Sequence, residues 1–188
     1  MTVFPHLGRA LPTGRRVGVL HVGAHVGAMV PFYRRAGFER ITCVEPNPDV
    51  LGDLRRRRGV DVVWAAVSDQ PGPLLLHVPE DSRKASLLAP LAWPEVRSVE
   101  VPVVALADLE AGHNVAVVHA QGHSLAVLRS GTLEPFDALI VKVTARADRY
   151  EGGCTRKEIV GYLAGKGWRS VSTWPYSNRD VADVVFAR

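Results

Sequence analysis

Short apolar runs recur along the chain with polar or helix-forming stretches between them. Val17–Leu20, extending to His21, is one such run; Arg40–Val44, Asp61–Val67, Asn114–Val118 and Leu139–Val143 repeat it. Unbroken runs of four to seven residues rich in valine and isoleucine suit strands buried on both faces. Helical segments fall between them: about Ala28–Ala36 with Gly37 as its stop, about Asp49–Arg58 with Pro48 near its start, about Ser124–Ser130, and Thr155 to about Lys166. Pro31 lies in a first turn, where a missing N–H costs little. Thr155 and Glu158 have the spacing of a capping box. Leu74–Val78 and Val99–Val104 read as extended, the former as a candidate hairpin arm. Trp168–Thr173 and Val181–Ala187 close the chain as two strands without a helix between them, which points to an antiparallel end. The expected fold class is therefore α/β: a mostly parallel sheet with helices on both faces.

The stretch Val17–Asp53 is a βαβ unit with a particular chemistry. Its first strand runs into the small-residue turn His21–Gly27, and its second, Ile41–Val44, ends on Glu45. This arrangement suits a nucleoside-bearing cofactor. Backbone approaches the ligand where Cβ atoms are absent, and the carboxylate meets two ribose hydroxyls. The glycine spacing is Gly23-x-x-x-Gly27, not G-x-G-x-x-G. His25 stands where a second glycine would let a pyrophosphate touch backbone, which disfavours a nicotinamide dinucleotide. A cofactor with ribose and adenine but no phosphate is favoured: S-adenosylmethionine (SAM).

In an open α/β sheet the ligand sits beyond the carboxyl ends of the strands, near the switch point. The residues expected there are His21–Gly27, Glu45–Pro48, Ser68 with Asp69, and His119–His123. Substrate recognition would fall to residues 79–98 and 144–154, which carry no diagnostic motif. Glu45 is otherwise a solvated loop acid, and Gly23 and Gly27 could serve helix–strand packing as well as binding. Asp69 with Gly72 could be turn chemistry alone. Trp64 and Trp168 lie in strands and read as core; Trp93 either lines a substrate pocket or, the simpler reading, anchors its loop.

Composition narrows the setting. A chain of 188 residues with 47% hydrophobic content fits one domain with a sizeable core, here residues 17–188 after a lead-in over 1–16. No run approaches the roughly 20 apolar residues of a membrane helix, and the first 16 residues lack the apolar core of a secretion signal. Cys43 and Cys154 have no ligand-like spacing, so no metal site is read and a cytoplasmic location is the default. The net charge of +4 is concentrated in clusters, above all Arg55–Arg58. That run reads as the solvated last turn of a helix, favourable at the negative end of its dipole. No aromatic residues interleave with it, which argues against a nucleic-acid surface. Oligomeric state is not legible.

The chain resembles the FkbM-type SAM-dependent methyltransferases from about Val17 to Arg188. Leu20–Gly27 is similar to the family's D-V-G-A-N/H-x-G motif, and Val44-Glu45-Pro46-Asn47-Pro48 to its E-P-N/x-P segment. Ala65–Asp69 looks like the family's third-strand ending and Ser86-Leu87-Leu88 like its S-S-L loop. His119–Leu128 is similar to D-x-Q/E-G-x-E-L-x-V-L; Tyr150-Glu151-Gly152 and Asp183–Phe186 also match. The resemblance implies a Rossmann-like class I fold with a seven-stranded sheet, a SAM cofactor and methylation of a hydroxyl on a small-molecule or glycan acceptor. It implies cofactor contacts from His21, Gly23, Ala24, His25, Gly27, Glu45 and Asn47, with Ser68 or Asp69 near the adenine and His119 near the methionine end. Three positions depart from the pattern: His119, Ser124 and Lys142 stand where the family carries acids. His119 and His123 are then the candidate bases, since a neutral imidazole can take a proton from a substrate hydroxyl. The alternative is a catalytically lapsed SAM-binding or Rossmann-like interaction protein.

Overall fold

The computed structural model describes residues 14–188; of the expected lead-in, residues 1–13 lie outside them. In chain order the elements are β1 (Gly18–Val22), α1 (Val30–Arg35), β2 (Arg40–Val44), α2 (Leu51–Arg55), β3 (Asp61–Val63), β4 (Ala66–Val67), β5 (Leu74–Pro79), β6 (Glu95–Val101) and β7 (Val103–Val104). They continue with β8 (Val115–Val118), α3 (Ser124–Arg129), β9 (Ala138–Thr144), α4 (Arg156–Gly165), β10 (Arg169–Pro175) and β11 (Val181–Ala187).

Seven of these strands form one sheet in the order β10-β11-β9-β8-β1-β2-β3. β3, β2, β1, β8 and β9 are parallel, and β11 is antiparallel to both its neighbours. The chain steps outward from β1 to β3, then returns to place β8 on the other side of β1. The switch point therefore lies between β1 and β8.

Side-chain alternation along the strands builds two cores. Leu20, Val22, Val44, Ala116, Val118, Leu139 and Val141 pack with Val127 and Leu128 of α3, Ile159 and Leu163 of α4, and Trp168. On the opposite face Val19, Ile41, Cys43, Val115, Val117 and Ile140 pack with Val30 and Tyr33 of α1, Leu54 of α2, and Phe38. Helices thus cover both faces, and they are short: α4 has 10 residues and α1 has 6. Each fully buried valine, leucine or isoleucine contributes about 1.5–3 kcal/mol, so the sheet's inner rows carry more of the stability than helix propensity does. Thr155 accepts the N–H of Glu158 and the Glu158 carboxylate reaches back to Thr155, as the capping-box spacing requires.

Three local expectations change. The run Asp61–Val67 is not one strand. β3 stops at Val63, and Trp64 swings out to donate its Nε1–H to the Pro46 carbonyl at 3.0 Å. Trp64 is 45% exposed and no core residue, whereas Trp168 is 2% exposed. Ala66 and Val67 then pair in parallel with Val103 and Val104. The second helix ends at Arg55, so Arg56–Arg58 lie beyond it; Arg57 donates to the Val26 carbonyl and Arg56 pairs with Asp53. β5 does form a hairpin, with β6, and the connection over residues 80–94 folds back across the carboxyl ends of the main sheet. Among the described residues no helix is long and apolar enough to cross a membrane.

Candidate functional site

A cavity of about 560 Å³ opens at the carboxyl ends of β1, β2 and β8, on the switch point. Small-molecule sites span roughly 300–1,000 Å³. The turn after β1 forms one wall; Ala65–Val67, Leu76 and Leu87 form an apolar wall; His119 and His123 come from the segment after β8.

The turn after β1 is shaped by close backbone approach. Gly23 has φ +77°, and its N–H donates to the Val44 carbonyl at 2.9 Å. A Cβ there would lie 2.4 Å from the His119 carbonyl oxygen. Only glycine lets β1 and β8 close up at this level while leaving bare backbone toward the cavity. His25 also takes a left-handed conformation, with φ +51°, which costs on the order of 1 kcal/mol for a residue with a Cβ. Its N–H donates to Glu45 Oε2 at 2.7 Å, and its Nε2 lies 3.0 Å from Ser82 Oγ.

Glu45 is 5% exposed and lines the cavity. Its Oε1 accepts the Asn47 N–H at 2.9 Å. Burial pushes its carboxyl above the ordinary glutamate range, and the Asn47 and His25 N–H groups oppose that shift. A carboxylate offers about four lone-pair positions; two are used, and the others can accept sugar hydroxyls.

The inner end of the cavity is polar. His21, 1% exposed, has Nδ1 2.9 Å from the Tyr33 hydroxyl, while its Nε2 is buried with no partner. The His21 and His119 rings meet edge to face at 5.0 Å. His119 Nε2 lies 3.2 Å from Asp183 Oδ1, a contact that becomes an ion pair when the imidazole is protonated. Tyr176 donates its hydroxyl to Asp183 Oδ2 at 3.1 Å, and the Lys142 ammonium sits 5.3 Å from the Tyr176 ring centre.

Burial drives His21 well below the usual histidine range, with His119 and Lys142 adding to the effect. Burial and then Lys142 lower His119, while Asp183 pulls the other way. Lys142 is itself lowered by burial, against the pull of Asp183. For Asp183 burial raises the carboxyl pKa, but His119, Lys142 and Tyr176 outweigh it and the net shift is downward. At neutral pH the cluster is an ionised carboxylate beside a neutral imidazole, with the Lys142 side chain at its edge.

Of the residues expected at the site, His21, Gly23, Ala24, His25, Glu45, His119 and His123 line this cavity. The others do not line it. Gly27, with φ +70°, abuts Leu54 and Arg57. Asn47 accepts the Asp49 N–H and starts the turn before α2, with its own Nδ2 buried and unpartnered. Ser68 is buried and lies 2.9 Å from His123 Nε2, while Asp69 is exposed. His113 sits at the opposite end of β8, held by Thr42 and the Leu109 carbonyl. From the sequence, Asp183 enters only as the start of a matching segment and Tyr176 not at all, and neither has a role in the site. The available signal was an acid inside the apolar run Val181–Ala187, since a carboxylate buried there demands partners.

The fold, though not the sequence, has counterparts among known proteins. Comparison with protein-family models gives no match, and neither does comparison with curated proteins. The fold itself is similar to solved structures. One is an S-adenosylmethionine-dependent methyltransferase from Mesorhizobium loti, with TM-score 0.57 and 11% identity over 99% of this chain and 97% of that one. Another is a ribosomal protein L11 methylase from Lactobacillus delbrueckii subsp. bulgaricus, with TM-score 0.56 and 10% identity over 98% and 76%. A third is mitomycin 7-O-methyltransferase, with TM-score 0.54 and 14% identity over 98% of this chain and 52% of that one. The chain therefore has the Rossmann-like fold of class I methyltransferases, with a mostly parallel seven-stranded sheet.

Proposed function

We propose that this protein is a SAM-dependent methyltransferase acting on a hydroxyl of a small-molecule or glycan acceptor, and a divergent relative of the FkbM-type enzymes. The observation that carries the reading is Glu45, a buried carboxylate on the rim of a cavity at the switch point, opposite bare backbone at Gly23. The fit of the cofactor rests on features of the chain itself. The cavity volume suits a nucleoside-sized ligand, Glu45 keeps free lone pairs for ribose hydroxyls, and Ala65, Ala66 and Leu87 offer an apolar slot for a purine. The unpartnered Nε2 of His21 is available to a polar group at the inner end.

When bound, SAM supplies a methyl group carried on a sulfonium sulfur. The chain's task is then to hold the acceptor oxygen in line and to accept its proton. His119 suits the second role, because burial keeps its imidazole neutral and Asp183 can stabilise the imidazolium that forms. His123, held by Ser68, is the other candidate.

Titration calorimetry with S-adenosylhomocysteine tests the cofactor half. Binding is expected, with Glu45→Gln weakening it by about tenfold or more, equivalent to 1.4 kcal/mol. No heat and no thermal shift at millimolar ligand overturn the reading. One observation favours a second reading, a cofactor-binding protein without transfer activity: Lys142 stands at the reaction end where the resembling family carries an acid. Cofactor binding without methyl transfer to a broad panel of hydroxyl acceptors would establish it.

A further inference from the structure

A second cavity, of about 420 Å³, adjoins the first. Arg83, Gln121, Lys142 and Tyr176 border both. Its outer wall joins two segments distant in sequence. Leu91 donates its N–H to the Arg149 carbonyl at 2.8 Å, Glu151 donates to the Ala89 carbonyl at 2.9 Å, and the Tyr150 hydroxyl donates to the Lys84 carbonyl at 2.9 Å.

Two features of this wall define a ligand. The first is aromatic. The Trp93 and Tyr150 rings lie 5.6 Å apart at 51°, and Tyr176 closes the side toward the first cavity. The second is charge. Arg83, Lys84, Arg149 and Lys142 line the chamber against a single carboxylate, Asp81. Asp81 is already committed: Arg83 reaches it at 2.8 and 3.0 Å, and Lys84 at 3.5 Å. Lys84 and Arg149 are held over the Trp93 ring at 4.5 and 5.9 Å. Among the described residues no carboxylate pairs with Arg149. A concave surface with an excess of one sign of charge concentrates ligands of the other, and a guanidinium beside an aromatic face recognises a planar anion well.

We propose that this second cavity is the acceptor site and that it takes a hydroxyl-bearing aromatic ring with an anionic substituent. The inference rests on the methyltransferase reading for the word acceptor; the binding preference stands on the chamber alone. The anionic group meets Lys84 and Arg149, the ring lies against Trp93 and Tyr150, and the hydroxyl reaches the shared border at Lys142 and Tyr176. There it faces the first cavity and His119.

The test is calorimetric titration of the full chain with 4-hydroxybenzoate and with its neutral analogue 4-hydroxybenzamide, each with and without S-adenosylhomocysteine. The carboxylate is expected to bind about tenfold or more tightly than the amide. Arg149→Ala and, separately, Lys84→Gln should remove most of that preference while leaving S-adenosylhomocysteine affinity unchanged, since neither side chain lines the first cavity. Equal affinities for the two probes, heat from neither, or a preference untouched by both substitutions overturns the proposal. If the homocysteine ligand fails to bind while the carboxylate preference persists, the cofactor reading falls and the anion site remains.

Discussion

Asp183 and Lys142 are cross-strand partners on β11 and β9, set in register so that a carboxylate and an amine share one face at the inner end of the cavity. Neither belongs there on hydrophobic grounds. Asp183 is 5% exposed, and its neighbours His119 and Tyr176 complete its environment. Removing one member of a buried charged group costs about 3–5 kcal/mol, because the remaining charge is stranded. Asp183→Asn is expected to lower the urea unfolding free energy by roughly 3 kcal/mol. Adding Lys142→Met should restore part of the loss. A single-mutant loss below about 1 kcal/mol would mean the aspartate is not holding a charge in place.

Five histidines set the response to acid. His21, His25, His113, His119 and His123 are all lowered from the ordinary value, with burial as the first cause in each. Below about pH 6.5 the unfolded chain takes up protons that the folded chain refuses. Their contribution is therefore fully favourable above that pH and is lost as the pH falls toward the folded values. Asp183 acts in a lower window: its stabilisation is present above about pH 3.9 and disappears as the pH falls through its depressed folded value. Urea midpoints should drop steadily between pH 7 and pH 5, and a flat profile there would contradict the burial of these rings.

Gly23 and Gly161 should respond oppositely to the same substitution. Gly23→Ala places a methyl group against the His119 carbonyl at a backbone angle that favours glycine. It is expected to cost about 1–3 kcal/mol from backbone strain alone and to abolish S-adenosylhomocysteine binding. Gly161 lies inside α4 with nothing within 4 Å of a new Cβ. Gly161→Ala should stabilise by about 0.5–1 kcal/mol. Thermal melts of both variants check the pair; a Gly23→Ala protein as stable as the parent would refute the close approach.

His119→Gln separates proton transfer from binding. General-base assistance is worth about 10²–10⁴ where it is rate-determining, and methyl displacement depends chiefly on alignment, so the lower end is expected. The rate of transfer should fall while S-adenosylhomocysteine affinity stays within about threefold of the parent, less than 1 kcal/mol. Stopped assays at several pH values would check it: the parent's rate should fall as acid protonates the imidazole, and the variant's should not.

Much of this architecture is readable from residue order. The parallel strands follow from runs such as Val115–Val118, which are apolar on both faces because both faces are covered. The turn that lines the cavity is legible because Gly23 follows the first strand and Glu45 ends the next, whereas Gly27 packs against Leu54 and Arg57. Pairings between distant segments are not legible. Nothing in Asp61–Val67 announces that Ala66 will leave β2's neighbourhood for Val103, because the partner lies far along the chain. The same holds for the contact of residues 89–92 with Arg149 and Glu151. Asp183 shows the subtler case. Its strand reads as ordinary core, and the carboxylate's role emerges only when His119, Lys142 and Tyr176 arrive from three other parts of the chain.

The turn at Ser82–Lys84 is a party wall. Ser82 looks into one chamber, Lys84 into the other, and Arg83 into both. Exchanging Lys84 or Trp93 for another residue would retune what the outer chamber admits without touching its neighbour. Lengthening or shortening the turn would shift both at once. Descendants of this chain can thus acquire new guests by point changes far more readily than by insertion.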